Sequence, residues 1–207
     1  MARDSFHHGN LRAELLERAE AVLRDGGVEN LSLRELAREA GVSHGAPRAH
    51  FVDRAALLDA LAERAFDRLA EIARSAVVIH REEPLDTVGA LRVAGQGYLE
   101  YAESNGALLA LMVAAKSDDR TGRVHDASLR LFADMVALVA LALGLPDPES
   151  PTVQRLTLLF SATLQGIASL VASGRVDGAS GAILLDDAIA VLAGGAARVD
   201  ARAKHAG

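Results

Sequence analysis

Residues 32–54, SLRELAREAGVSHGAPRAHFVDR, restrict the fold more than any other stretch, because they spell two short helices joined by a glycine turn. Ser32 and Glu35 have the Ser-x-x-Glu spacing of a capping box, in which the hydroxyl accepts from an early backbone N–H and the carboxylate reaches back to the cap residue. Leu33, Leu36, Ala37 and Ala40 recur at three- and four-residue spacing, with Arg34, Glu35, Arg38 and Glu39 on the other side, so one face is core and one is wet. Gly41 stands where that helix should end, since the residue past a C-cap often takes positive φ. Ser43 is a candidate cap for the second helix, which leaves residues 41–43 as the turn. The second helix, about residues 44–50, presents His44, Gly45, Ala46, Arg48 and Ala49 on a small or polar outer face, while Val42 and Phe51 face inward. Pro47 lacks an N–H and crowds the preceding turn, so a distorted or 3₁₀-like start is expected. The pair has the form of a DNA-reading helix-turn-helix.

The composition makes all-α the expected fold class. Half of the 207 residues are apolar and only 3% are aromatic, so the core is aliphatic and the β signal is weak. With no cysteine there is neither a disulfide framework nor a thiolate metal site. The first ten residues, MARDSFHHGN, lack the apolar run of a secretory signal, which implies a cytoplasmic location. Net charge is −6, but residues 1–54 carry only −1 of it. Non-specific affinity for DNA should therefore be weak and dimerisation important.

Asn10 is a candidate cap for a first helix striped by Leu11, Leu15, Ala19, Val22 and Leu23 and ended by Asp25-Gly26-Gly27. His7 and His8 form a solvated arm. A long amphipathic helix follows over residues 54–78, with Leu58, Leu61, Ala62, Ala65, Leu69, Ile72, Ala73 and Ala76 inward, and residues 79–84 break it. Glu82 and Glu83 read as a solvated turn rather than a catalytic pair. Helices over 85–104 and 106–116 are separated at Asn105-Gly106, and the loop 117–122 leads to a helix with Leu129, Phe132, Val136, Val139 and Leu143 in step. Gly95-x-Gly97 is not a dinucleotide fingerprint, since the third glycine is absent and no strand precedes it. Residues 156–174 carry no charge, yet their Thr, Ser and Gln side chains suit a buried helix better than a membrane span. A linker over 174–181 precedes a last apolar helix at 182–199. Two nearly all-round apolar helices need a cover, and a second copy of the chain is the simplest one.

The run from His8 to Leu58, with LSLRELAREAGVSHGAP, His50-Phe51 and an acidic-basic pair before Ala-Leu-Leu, resembles the DNA-binding domain of the TetR family of bacterial transcription regulators. In that family a tyrosine that contacts phosphate usually stands at the position of Arg48, and a basic residue or histidine often at that of Ala49. Arg48 either holds a phosphate or pairs bidentately with guanine O6 and N7. The resemblance implies that the long helix joins the two domains and converts pocket expansion into a changed separation of recognition helices. Residues 88–175 also resemble the C-terminal domain of a TetR subgroup with a Trp, His, Gly signature on the penultimate helix. Here those positions are Ser161, Gln165 and Gly166, so only the glycine is kept.

The expected architecture is a three-helix DNA-binding domain over 1–54 and a larger helical effector-binding and dimerisation domain over 55–207, about nine helices in all. DNA contacts are expected from Arg34, Ser43, His44, Gly45, Arg48, His50 and Arg54. Ligand contacts are expected from Tyr98, Met112, Phe132, Met135, Phe160 and Gln165, the large or polar residues on otherwise small-aliphatic helices. No catalytic constellation, cofactor or metal site is expected, because none of the seven histidines makes an i, i+4 ligand pair. The partners implied are a double-stranded, pseudo-palindromic DNA operator, a small apolar effector and a second copy docked through the last two helices, with no membrane. The rival reading is a helical small-molecule-binding or scaffold protein whose helix-turn-helix no longer reads DNA.

Overall fold

The computed structural model describes residues 11–82, 88–118, 122–145 and 147–205. Among them the chain is helical throughout: α1 (Leu11–Gly26), α2 (Leu33–Glu39), α3 (Arg54–Glu82), α4 (Gly89–Ser104), α5 (Gly106–Asp118), α6 (Arg123–Ala142), α7 (Pro151–Ala172) and α8 (Gly178–His205). Single 3₁₀ turns lie at Val28–Asn30 and Ala46–Ala49. The described residues thus form eight α-helices rather than about nine, because the expected reading helix closes as one of the 3₁₀ turns. Asn10, the His7 and His8 arm, and Glu83 lie outside the described residues.

The N-terminal unit is built on Leu15, Leu16, Ala19 and Leu23 of α1, Leu36 and Ala37 of α2, and Phe51, all buried. The capping box does not form. Ser32 is in extended backbone and its side chain makes no cap bond, while Glu35 is drawn to the Arg38 guanidinium at 2.7 Å. A charge-assisted pair one turn away outcompetes the return to the cap. The helix ends as Gly41 predicts: with φ +67°, it lets the Val42 N–H donate to the Ala37 carbonyl at 3.0 Å and its own N–H to Arg38 at 3.2 Å. Ser43 caps nothing. The chain turns on through Gly45, and the 3₁₀ turn that follows has Pro47 at its start. The buried Pro47 ring and its carbonyl, which accepts from His50 and Phe51 at 3.0 and 2.9 Å, anchor that turn.

Asp53 caps α3, accepting from the Ala56 N–H at 2.8 Å. The helix runs to Glu82, four residues past the expected end, because nothing from Ile79 to Glu82 opposes helical backbone; Pro84 lies outside the described residues. Its buried stripe from Leu57 to Ala76 packs against α4, α5 and α6. Ion pairs Asp67–Arg130 at 2.9 Å and Arg74–Asp134 at 2.6 Å flank the seam with α6.

Two glycines of α4 set how closely the larger domain packs. A Cβ on Gly95 would lie 2.7 Å from both Leu185 methyls, and one on Gly97 would lie 2.9 Å from Ile72 Cγ2. The Gly-x-Gly spacing thus serves the approach of α4 to α8 and to α3. Residues 178–181, expected as linker, are the first turn of α8, capped by Asp177, which accepts from the Ser180 N–H at 2.7 Å. Gly181 is buried, and a Cβ there would come within 2.6 Å of Val171. A single cluster of buried apolar side chains runs from Leu15 to Ala196, so the reading unit and the larger domain share one core.

Candidate nucleic-acid interface and ligand cavity

Ser43, His44, Gly45, Arg48, Ala49 and His50 are all exposed, and only Ala46 and Pro47 of that stretch turn inward. Arg34 is exposed on α2. Neither Arg34 nor Arg48 has an ion-pair partner among the described residues, whereas Arg38 is held by Glu35, whose hydrogen bond and charge raise the guanidinium pKa further. Gly45 has ordinary helical φ and ψ of −85° and −21°, and a Cβ there would meet nothing within 4 Å. Nothing inside the protein requires glycine at this position. Arg54 is exposed as well, and its donors are engaged within the chain. Its Nε donates to the Leu31 carbonyl at 3.0 Å and its Nη2 donates to the Val28 carbonyl, which ties the 3₁₀ turn after α1 to the start of α3. The Arg12 guanidinium lies 5.4 Å from the centroid of the Phe51 ring and ties the start of α1 to the residues just before α3.

In the larger domain, residues of α3 to α7 line a half-open cavity of about 320 Å³. Tyr98, Met112, Phe132, Met135 and Gln165 line it, together with Phe66, Leu109, Val113, Ser128, Leu131, Leu158, Ser161 and Leu164. Phe160 is directed elsewhere. It lines a groove between α7 and α8 with Leu156, Leu159, Val191 and Leu192, since one residue along a helix rotates a side chain by about 100° away from Ser161. Sequence reasoning misses Phe66, Ser128 and Ser161 as cavity residues. The legible signal is a polar residue inside an apolar stripe: Ser128 lies one turn after Val124 and two turns before Met135. Burial pushes the Tyr98 hydroxyl up to about 12, so it stays a neutral donor at physiological pH. The Ser128 hydroxyl donates to the His125 carbonyl at 2.7 Å. A more open trough adjoins the cavity, shares Leu109, Val113 and Gln165 with it, and continues past Ala110 and Ser169 to Ala172 and Ser173.

A glycine-turned helix pair on a bracing first helix, joined by one long helix to a hollow helical body, defines an all-helical helix-turn-helix regulator. The family model described as bacterial regulatory proteins, tetR family, matches residues 15–61, and that described as tetracyclin repressor-like, C-terminal domain, matches residues 91–192. The chain belongs to the TetR family. A protein of unknown function from Rhodococcus sp. RHA1 is 38% identical, with 93% of this chain and 98% of that chain covered and a TM-score of 0.78. Two further structures share the fold. The TetR-family transcriptional regulator SCO4454 from Streptomyces coelicolor is 16% identical over 89% of this chain and 94% of that one, at a TM-score of 0.65. The TetR family transcriptional regulator PfmR from Thermus thermophilus is 19% identical over 84% and 96%, at 0.62. No curated protein matches the chain in sequence. Transcription regulation and DNA binding come with the family's N-terminal domain, and ligand binding and dimerisation are typical of it; the family is one of regulators rather than enzymes.

Proposed function

We propose that this chain is a cytoplasmic, homodimeric repressor that leaves a pseudo-palindromic operator when a small apolar effector enters the cavity between α3 and α7. Residues 1–54 are the reading domain and residues 55–207 the effector and dimer domain. Gly45 is the observation that carries the DNA reading. It is exposed, strain-free and uncrowded within the chain, so its missing side chain is explained by a surface that comes close from outside. Ser43, His44, Arg48 and His50 surround it, with Arg34 on α2 beside them in the motif, and offer donors to phosphates and base edges. Arg54 acts indirectly, by fixing the turn that supports them. The dimer reading is supported by Leu159 of α7 and Ile183, Leu184 and Val191 of α8, which are exposed in the single chain. Both helices are long and apolar enough to cross a membrane, but their inner faces are committed to this core, which favours a second copy as the cover. Operator and effector then weaken each other's binding by the same free energy.

Gly45→Ala tests the reading because it separates folding from binding. At a helical, uncrowded position alanine should leave stability unchanged or raise it by up to ~1 kcal/mol. Affinity for a duplex from the chain's own upstream region, read by anisotropy, should fall by about tenfold or more, a cost of about 1.4 kcal/mol. Wild-type affinity should also fall steeply with salt. Arg48→Ala then decides that residue's role: uniform weakening marks a phosphate contact, and relaxation at one base pair marks a guanine contact. Salt-independent binding, or a Gly45→Ala protein that binds as wild type across bound genomic fragments, hands the chain to the scaffold reading.

A further inference from the structure

We propose that the cavity between α3 and α7 selects an uncharged molecule with an apolar body and one hydrogen-bonding group, and that Ser161 and Gln165 of α7 make the selection. The inference deepens the effector reading and rests on it. Among the described residues, no Asp, Glu, Lys, Arg or His lines either the cavity or the adjoining trough. A charged group drawn into this space finds no counter-ion among the described side chains and gives up part of its hydration, which opposes entry.

The polar groups that remain are placed to greet a neutral one. The Ser128 hydroxyl is used internally by His125, but those of Tyr98 and Ser161 and the Gln165 amide have no hydrogen-bond partner among the described residues. Ser161 and Gln165 stand four residues apart, on one face of α7. Gln165 also borders the trough, so it stands where the cavity opens toward solvent. The rest of the wall includes Phe66, Phe132, Met112 and Met135, and the thioethers adapt to flat or irregular apolar surfaces. Ser161 leaves the chamber open toward α7, and an indole in its place would fill it.

Two dyes with the same three rings test this directly. N-phenyl-1-naphthylamine is neutral and carries one N–H, and 1-anilinonaphthalene-8-sulfonate adds a permanent negative charge. Fluorescence titration of the full chain should show the neutral dye binding at least about tenfold more tightly. Ser161→Trp should abolish that binding, while Ser161→Ala, which removes only the hydroxyl, should weaken it by about fivefold. Gln165→Lys supplies the missing counter-ion and should reverse the preference toward the sulfonate, a gain that a folding defect cannot imitate. Equal affinity for both dyes, or a Gln165→Lys protein with the wild-type preference, overturns the inference. So does a neutral dye that still binds a stably folded Ser161→Trp protein, since it then sits on the apolar face of α7 and α8. A neutral dye that binds as expected and leaves operator affinity unchanged overturns the effector reading instead, and the selection by charge stands.

Discussion

Replacing Gly95 by alanine adds one methyl group at the closest approach of α4 to α8. The new Cβ would lie 2.7 Å from both Cδ atoms of Leu185 and 3.2 Å from its Cγ, against the 3.5–4.0 Å of ordinary carbon contacts. Both methyls are in the way, so rotating one aside brings little relief, and Leu185 is only 1% exposed and cannot swing out into solvent. Overpacking of this kind costs about 1–3 kcal/mol. It is offset by the gain of ~0.8–1.0 kcal/mol when alanine replaces glycine inside a helix. The net expectation is a loss of about 1 kcal/mol, read by urea unfolding at fixed protomer concentration. Leu185→Ala alone should cost about 2–5 kcal/mol. In that background no methyl group opposes the new Cβ, only the helix term remains, and Gly95→Ala should stabilise. The sign of one substitution therefore reverses with its partner, and the coupling in the double-mutant cycle equals the overpacking cost. The same sign in both backgrounds would refute the claim that Leu185 is why position 95 is glycine.

Arg54→Met keeps the length of the side chain but removes the donors to Val28 and Leu31; it should destabilise by about 1–3 kcal/mol in an unfolding titration, and an unchanged midpoint would refute the structural role assigned to Arg54. The two tyrosines, Tyr98 and Tyr101, are pushed up to about 12 by burial, so each has a folded pKa above its unfolded value near 10. Their contribution to stability is complete below about pH 10 and is lost as pH rises toward 12, because the unfolded chain releases these protons first. Phenolate absorbance should rise in step with loss of helical circular dichroism. A native-state titration at pH 10 with the helices intact would contradict this, and Tyr98→Phe should flatten the slope.

The helix-turn-helix and the all-helical class were legible because they depend on local signals: the four-residue apolar spacing of α2, the need for positive φ at Gly41, and the missing N–H of Pro47. Misreadings arise where a residue has two partners in competition or where phase is undefined. Glu35 carries the spacing of a capping box, but its carboxylate pairs with Arg38 at 2.7 Å, and sequence cannot rank the two partners. Residues 178–181 have the composition of a linker, yet the second glycine is small because Val171 packs against it, a fact held on another helix. Phe160 groups with the cavity in sequence because α7 is apolar nearly all round, which hides which side faces α6 and which faces α8. Five expected cavity residues do converge, since each stands out in size or polarity from small neighbours.

The 29 residues of α3 make a rod about 43 Å long at 1.5 Å per residue. Its first turn carries the reading unit and its middle carries Phe66 in the cavity wall. From Phe66 to Arg54 the arm is about 18 Å, so a tilt of about 5° about the cavity wall moves the first turn by about 1.6 Å, roughly half the 3.4 Å rise of a base pair. Two such rods in a dimer, each tilted by the bulk of a small guest, would change the separation of the reading turns by about one base-pair step. On the proposed function, a small change in the shape of the cavity would then be felt on DNA through the length of α3.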